Sequence, residues 1–405
     1  MRRKSLAAIG ISSLFGLAAT FGLLVPVQQT KLTASDGQAG DLFGTWLGIS
    51  GDNIIIGAQD DDDKGINSGS AYIFHGSGSR WRETAKLTAS NGAPSDSFGF
   101  ADAISDDTAI VGAPGDDVRG ANSGSAYIFQ ESGSRWRELT KLAARDGADD
   151  DRFGWAVELS ADTAVVGAPF DDELGSDSGS VYIFERDGQS WSMIQKLTAS
   201  DGEANDEFGF ILAIEENTLV VGAPARSGND GSAYVFQKSD GIWSEAAKLS
   251  ASDGTLDDWF GFALAISGDT VIVSAPHDDD LGINSGSAYV YQHSEAGWTE
   301  VVKLTASDGA AGDQFGHFEV GLDKDTFVIG APFDDDLGED SGAFYVFHRD
   351  TTGWLEMSKV TASDGAAGDQ FGTQAVIQGN TIVIGAWFDD DKGIDSGSVY
   401  VFGLE

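Results

Sequence analysis

KLTASNGAPSDSFGFADAISDDTAIVGAPGDDVRGANSGSAYIFQESGSRWRELT, residues 86–140, is the stretch that decides the fold. It opens on Lys86-Leu87 and reaches Phe98-Gly99. A β-branched run then leads into Gly112-Ala113-Pro114, an acidic loop follows, and Ser125-Ala126-Tyr127 and Trp136 begin two further strand-like runs. Four short runs of strand-forming residues begin in it, Gly99–Ile104, Thr108–Ala113, Gly124–Phe129 and Trp136–Leu142, separated by Gly, Asp and Ser turns. Nowhere does a 3.6-residue apolar period persist, so few helices are expected.

Outward from this stretch the same phrase recurs. Its copies begin at Lys31, Lys86, Lys141, Lys196, Lys248, Lys303 and Lys359, at spacings of 55, 55, 55, 52, 55 and 56 residues. Four antiparallel strands repeated seven times predict an all-β chain, a seven-bladed β-propeller in which each blade buries its faces against its neighbours. The seventh unit ends at Glu405 after its third strand. Val25–Leu32 carries the same closing Lys-Leu and is predicted to supply the missing outer strand, so that no sheet edge is left open.

Composition narrows the function. With 65 Asp and Glu against 24 Lys and Arg, the net charge is −41, which repels phosphate backbones and anionic lipid; nucleic acid is not an expected partner. Cations and basic proteins are favoured instead. The chain has no Cys, which removes disulfides, thiolate nucleophiles and Cys-based zinc sites. Met1-Arg2-Arg3-Lys4 followed by the uncharged Ser5–Val25 reads as a secretory signal over residues 1–24, or as an N-terminal anchor if it is not cleaved. Residues 25–405 then form one domain, secreted or at the cell surface, with no membrane insertion once the signal is removed.

Phe-Gly in all seven units, followed by Gly-Ala-Pro or a variant such as Ser274-Ala275-Pro276 or Gly385-Ala386-Trp387, resembles the FG-GAP repeats of the integrin alpha-chain propeller. The resemblance implies an extracellular, non-enzymatic recognition or adhesion module. The sequence departs from it in one respect. Integrin-type repeats often place a calcium loop between strands one and two, whereas Ser50-Gly51-Asp52-Asn53 leaves room only for a tight turn.

Acid concentrates instead in the loops between strands two and three, which share one face of the ring with the connections between blades. Five of these loops alternate oxygen-bearing side chains about a Gly: Asp61/Asp63/Asn67, Asp171/Glu173/Asp177, Asp278/Asp280/Asn284, Asp334/Asp336/Asp340 and Asp389/Asp391/Asp395. This pattern suits Ca²⁺; it equally suits solvated loops whose acids cap their own turns. The Asp before Phe-Gly, as at Asp41, Asp313 and Asp369, is expected to cap a turn. The residue after Phe-Gly opens the innermost strand at the mouth of the central channel, where Phe100, Trp155, Phe210, Phe262 and His317 stand. In integrin alpha chains, aromatics here help grip a basic finger of the partner subunit, so the resemblance implies a ligand-binding ring; packing between blades would also place aromatics there. The expected partner is a protein or glycan, carrying basic groups or bridged by Ca²⁺. Of the five His, only His277 and His317 are placed to meet carboxylates, and no Ser-His-Asp order appears. Abundant acid pairs keep two alternatives open, a carbohydrate-active hydrolase or lyase and a purely structural surface protein.

Overall fold

The computed structural model describes residues 24–133, 135–225 and 230–405. Of the segment read as an export signal, all but Leu24 lies outside them. The described residues form seven four-stranded antiparallel sheets and no helix, the expected all-β propeller. In the second blade the strands are Asp102–Ser105, Thr108–Ala113, Ser125–Ser132 and Arg135–Leu142. The innermost strand starts three residues later than the apolar run suggests, because Gly99–Ala101 is spent on the turn into it.

Burial follows position in the blade. The second strand, TAIVGA at Thr108–Ala113, is buried throughout because a neighbouring blade covers each face, so its sequence is continuously apolar rather than alternating. The outer strand Arg135–Leu142 alternates exposed and part-buried residues, since one side looks to solvent. The tyrosines of the third strand, such as Tyr127, are fully buried, with Phe98 set edge-on at 5.4 Å between ring centres.

The N-terminal strand Pro26–Leu32 completes the last blade, running antiparallel to Ser398–Leu404 with Pro26 opposite Leu404 and Leu32 opposite Val399. Its pairing shifts register once, between Gln28 and Thr30, as the third and outer strands of the other blades do, for example between Ile128 and Phe129. The segment is therefore built as a fourth strand, and it closes the ring by completing the last blade.

The repeated glycines are demanded by contact between blades. A Cβ on Gly112 would lie 2.0 Å from the carbonyl oxygen of Gly154 in the next blade. Gly99, at φ +90°, holds a backbone conformation that side chains resist, and its N–H donates to Gly112 O at 3.0 Å. Phe-Gly and Gly-Ala-Pro are thus the places where backbone meets backbone around the ring.

Candidate binding face

Each inter-blade connection and each strand two–three loop meet on one face, where a lysine of the outer strand gathers their acids. In the first blade Lys86 Nζ lies 2.8 Å from Asp36, 2.9 Å from Asp61 and 2.6 Å from Asp63. Asp36 belongs to the connection arriving from the previous blade, so this cluster ties two blades together. Asp61 is buried and also accepts bonds from Tyr72 OH at 3.0 Å, Ser70 Oγ at 3.1 Å and Asp63 N–H at 3.0 Å. Lys196, Lys303, Lys359 and Lys31 repeat the arrangement with Asp171, Asp278, Asp334 and Asp389. Burial alone would raise Asp36, but the bonds from Lys86 and Tyr72 reverse the effect and hold its carboxyl below the usual range.

These loops do not fit a calcium ion. In each of the five, the first two acids already point at a lysine ammonium: Asp61 and Asp63, Asp171 and Glu173, Asp278 and Asp280, Asp334 and Asp336, Asp389 and Asp391. The third residue, Asn67, Asp177, Asn284, Asp340 or Asp395, sits in the left-handed conformation at φ 54–56° and donates its N–H to an intervening Asp, as Asn67 does to Asp62 at 2.8 Å. It shapes the turn instead of joining the others. Among the described residues no group of three or more His, Cys, Asp or Glu is arranged to hold a metal. The capping role expected for the Asp before Phe-Gly is present: Asp41 accepts the N–H of Gln38 at 2.7 Å, Asp313 that of Ala310 and Asp369 that of Ala366 at 2.8 Å.

At the channel mouth the five residues singled out by position lie side by side. Ring centres are 4.5 Å apart for Phe100–Trp155, 5.6 Å for Trp155–Phe210, 5.1 Å for Phe210–Phe262 and 4.7 Å for Phe262–His317. They pack on one another, and together they line a cup of about 380 Å³. Trp46, Trp259, Phe318 and Trp387 complete it, and position-by-position reading missed all four. Each departs from the repeat: Trp387 replaces the Pro of Gly-Ala-Pro, Trp259 precedes Phe260-Gly261, and Trp46 and Phe318 fall one residue beyond the expected ring. An aromatic where most other units have a non-aromatic residue was the signal available. His277 stacks on Trp259 at 3.6 Å, behind the cup, and burial lowers its pKa.

Ile211 borders both the cup and the channel below it, where Asp102, Glu158 and Glu319 face a cavity of about 270 Å³. Asp102 is 1% exposed, and neither of its carboxylate oxygens, nor Glu319 Oε2, has a hydrogen-bond partner. Enclosure by protein pushes Glu158 up to about 8 and raises Asp102 and Glu319 well above their usual values, with Glu158 adding to Asp102 and both of these adding to Glu319. The aromatic ring offers π faces to a cation entering from above, and the acids beneath it, largely protonated at neutral pH, would meet that cation as carboxylates only by giving up their protons.

Seven copies of the FG-GAP repeat match this sequence, over residues 26–74, 81–129, 136–184, 191–236, 243–291, 298–347 and 354–402. The chain belongs to the FG-GAP repeat family. Among curated proteins it is similar to human integrin alpha-E, at 29% identity over 198 residues. That match takes in 42% of this FG-GAP chain and 16% of the integrin, so it spans only a small part of the integrin's length. No described helix of this FG-GAP protein is long and apolar enough to cross a membrane.

Proposed function

We propose that this FG-GAP propeller is an exported, non-enzymatic recognition module that takes a basic side chain of a protein partner into the aromatic cup. The carrying observation is the joint lining of one cup by Phe100, Trp155, Phe210, Phe262 and His317, with three desolvated carboxyls beneath it. The basic leader and apolar stretch at the N-terminus, together with the kinship to an integrin alpha chain, support export to the cell exterior or surface. Calcium forms no part of the reading, because lysines already sit among the loop acids.

Tryptophan fluorescence during titration with acetyl-arginine-amide tests the cup. Saturable quenching is expected in the millimolar range, weakened roughly tenfold by Trp155→Ala or Phe210→Ala, in keeping with a desolvated cation–π contact of about 1–2 kcal/mol. Quenching that is unchanged in both folded variants would refute the reading. One observation favours the carbohydrate-active alternative: Glu158, held protonated near neutral pH, resembles a general acid. Glycan hydrolysis abolished by Glu158→Gln would establish that reading instead.

A further inference from the structure

The connection into each blade carries an Asp-Gly pair in six of the seven units: Asp36-Gly37, Asp146-Gly147, Asp201-Gly202, Asp253-Gly254, Asp308-Gly309 and Asp364-Gly365. The second unit alone reads Asn91-Gly92, and no other Asn in the sequence precedes a Gly. Each of the six aspartates accepts a third-strand Tyr OH and pairs with an outer-strand lysine, as Asp36 does with Tyr72 at 2.9 Å and Lys86 at 2.8 Å. Asn91 occupies the same place. Tyr127 OH donates to its Oδ1 at 3.0 Å and also reaches Asp116, the partner of Lys141.

The second blade is short of acid at this point. Lys31, Lys86, Lys196, Lys303 and Lys359 each carry three carboxylates, whereas among the described residues Lys141 pairs with Asp116 alone. Its side chain is 24% exposed, against 15–18% for those five. Val118 stands where the first unit has Asp63, and Asn91 stands where it has Asp36.

We propose that Asn91 is a site of spontaneous deamidation, and that its aspartate product gives the second blade the carboxylate that the connections of the other six carry. The backbone nitrogen of Gly92 attacks Asn91 Cγ. The N–Cγ bond forms, the Cγ–Nδ2 bond breaks, and the amide nitrogen leaves as ammonia with the proton from Gly92. Water then adds to Cγ of the resulting succinimide, the N–Cγ bond breaks, and Gly92 recovers its N–H. In sum an amide and water become a carboxylate and ammonium. Gly92 suits the attack because it has no Cβ to crowd its nitrogen, and Asn91 is exposed to water. The Gly92 N–H is held by Ala89 O at 3.1 Å, so the step waits on local opening of the connection. The product then meets what its equivalents meet. Burial alone would raise Asp36, Asp146, Asp253, Asp308 and Asp364, yet their lysine and tyrosine bonds hold the carboxyls below the usual range. Lys141 and Tyr127 offer the same two donors, so the connection from the first blade to the second gains the ion pair it lacks.

The test is peptide mapping by mass spectrometry of the full chain aged at pH 8. The amide-to-acid mass change should appear at Asn91 several-fold faster than at Asn67, Asn122 and Asn284, each of which precedes a Ser. Gly92→Ala should slow it several-fold; the added Cβ would lie 3.3 Å or more from Lys64 and Ala89, so the variant keeps the fold. Asn91→Asp, which makes the product directly, should raise Tm by about 1 °C. The same change beside Lys141→Met should give no rise, because the carboxylate then has no ammonium to pair with. Conversion at Asn91 no faster than at the Asn-Ser sites, or unslowed by Gly92→Ala, would overturn the modification site. A product that electron-transfer fragmentation identifies as mainly isoaspartate, no rise in Tm for Asn91→Asp, or an equal rise beside Lys141→Met would overturn the role given to the product.

Discussion

Removing one lysine from the binding face should cost far more in the first blade than in the fourth. In Lys86→Met the aliphatic stem is largely kept and the ammonium is lost. Asp61, with a side chain 4% exposed, is left as a buried charge held only by Tyr72, Ser70 and the Asp63 N–H. Breaking a buried ion pair from one side costs about 3–5 kcal/mol. The three surviving hydrogen bonds favour the low end of that range. Asp36 and Asp63 are about half exposed, so each adds less than about 1 kcal/mol. The expected loss is about 3–4 kcal/mol, which for cooperative unfolding of a chain this long is about 4–5 °C in Tm. Lys248→Met breaks only a pair with a half-exposed acid and should cost less than about 1 kcal/mol. Differential scanning calorimetry and urea unfolding of the two variants measure the difference. Equal losses would refute the claim that the buried loop aspartate makes this cluster structural, and with it the contrast between the fourth blade and the others.

Gly112→Ala forces a Cβ against the Gly154 carbonyl and should cost more than about 3 kcal/mol or abolish soluble folding, whereas Gly133→Ala, in a turn at φ +69° with open space around it, should cost about 1 kcal/mol; similar urea midpoints would contradict the backbone-contact account. A thermal melt in EDTA and then in 2 mM Ca²⁺ should move by less than about 1 °C, since a ligand with no site in the folded state does not stabilise it; a calcium-specific rise would show the lysines displaced. Stability should increase as pH falls from 8 toward 5, because burial pushes Glu158 up to about 8 and Asp41 to about 6, so that the folded chain binds protons the unfolded chain has released. Below about pH 4 the trend should reverse as the unfolded chain protonates carboxylates such as Asp36 and Asp308, which the folded chain keeps ionised beside Lys86 and Lys359; urea midpoints across this range that rise steadily with pH would refute the assignment.

The ring was legible in the sequence because each blade solves the same packing problem with the same residues. Phe98, Gly112 and Tyr127 recur with their spacing intact, and the Lys31-Leu32 pair was enough to place the closing strand in the last blade. The channel mouth was legible in part, since the residue after Phe-Gly lines the cup in six of the seven units. Trp259 and Trp387 reach the cup from other positions, and only the curvature of the ring brings them there. The lysine clusters were not legible. Lys86 reads as the opening of a phrase, yet it closes on Asp61, 25 residues earlier, and on Asp36, 50 residues earlier. Alternating acids about a glycine carry no mark that says whether their cation is a metal or a side chain.

That ambiguity is itself informative about where recognition can reside in a repeat protein. A feature that recurs from blade to blade is explained by closing the ring, and the lysine clusters illustrate this: in five blades they hold a buried acid and tie the incoming connection to the blade that follows. A partner needs something that occurs once. One such departure is the uneven ring of Trp46, Trp155, Trp259, Phe318 and Trp387 around the channel. It offers π faces that suit a cation. A protein of net charge −41 can then discriminate among the many basic surfaces that its field attracts.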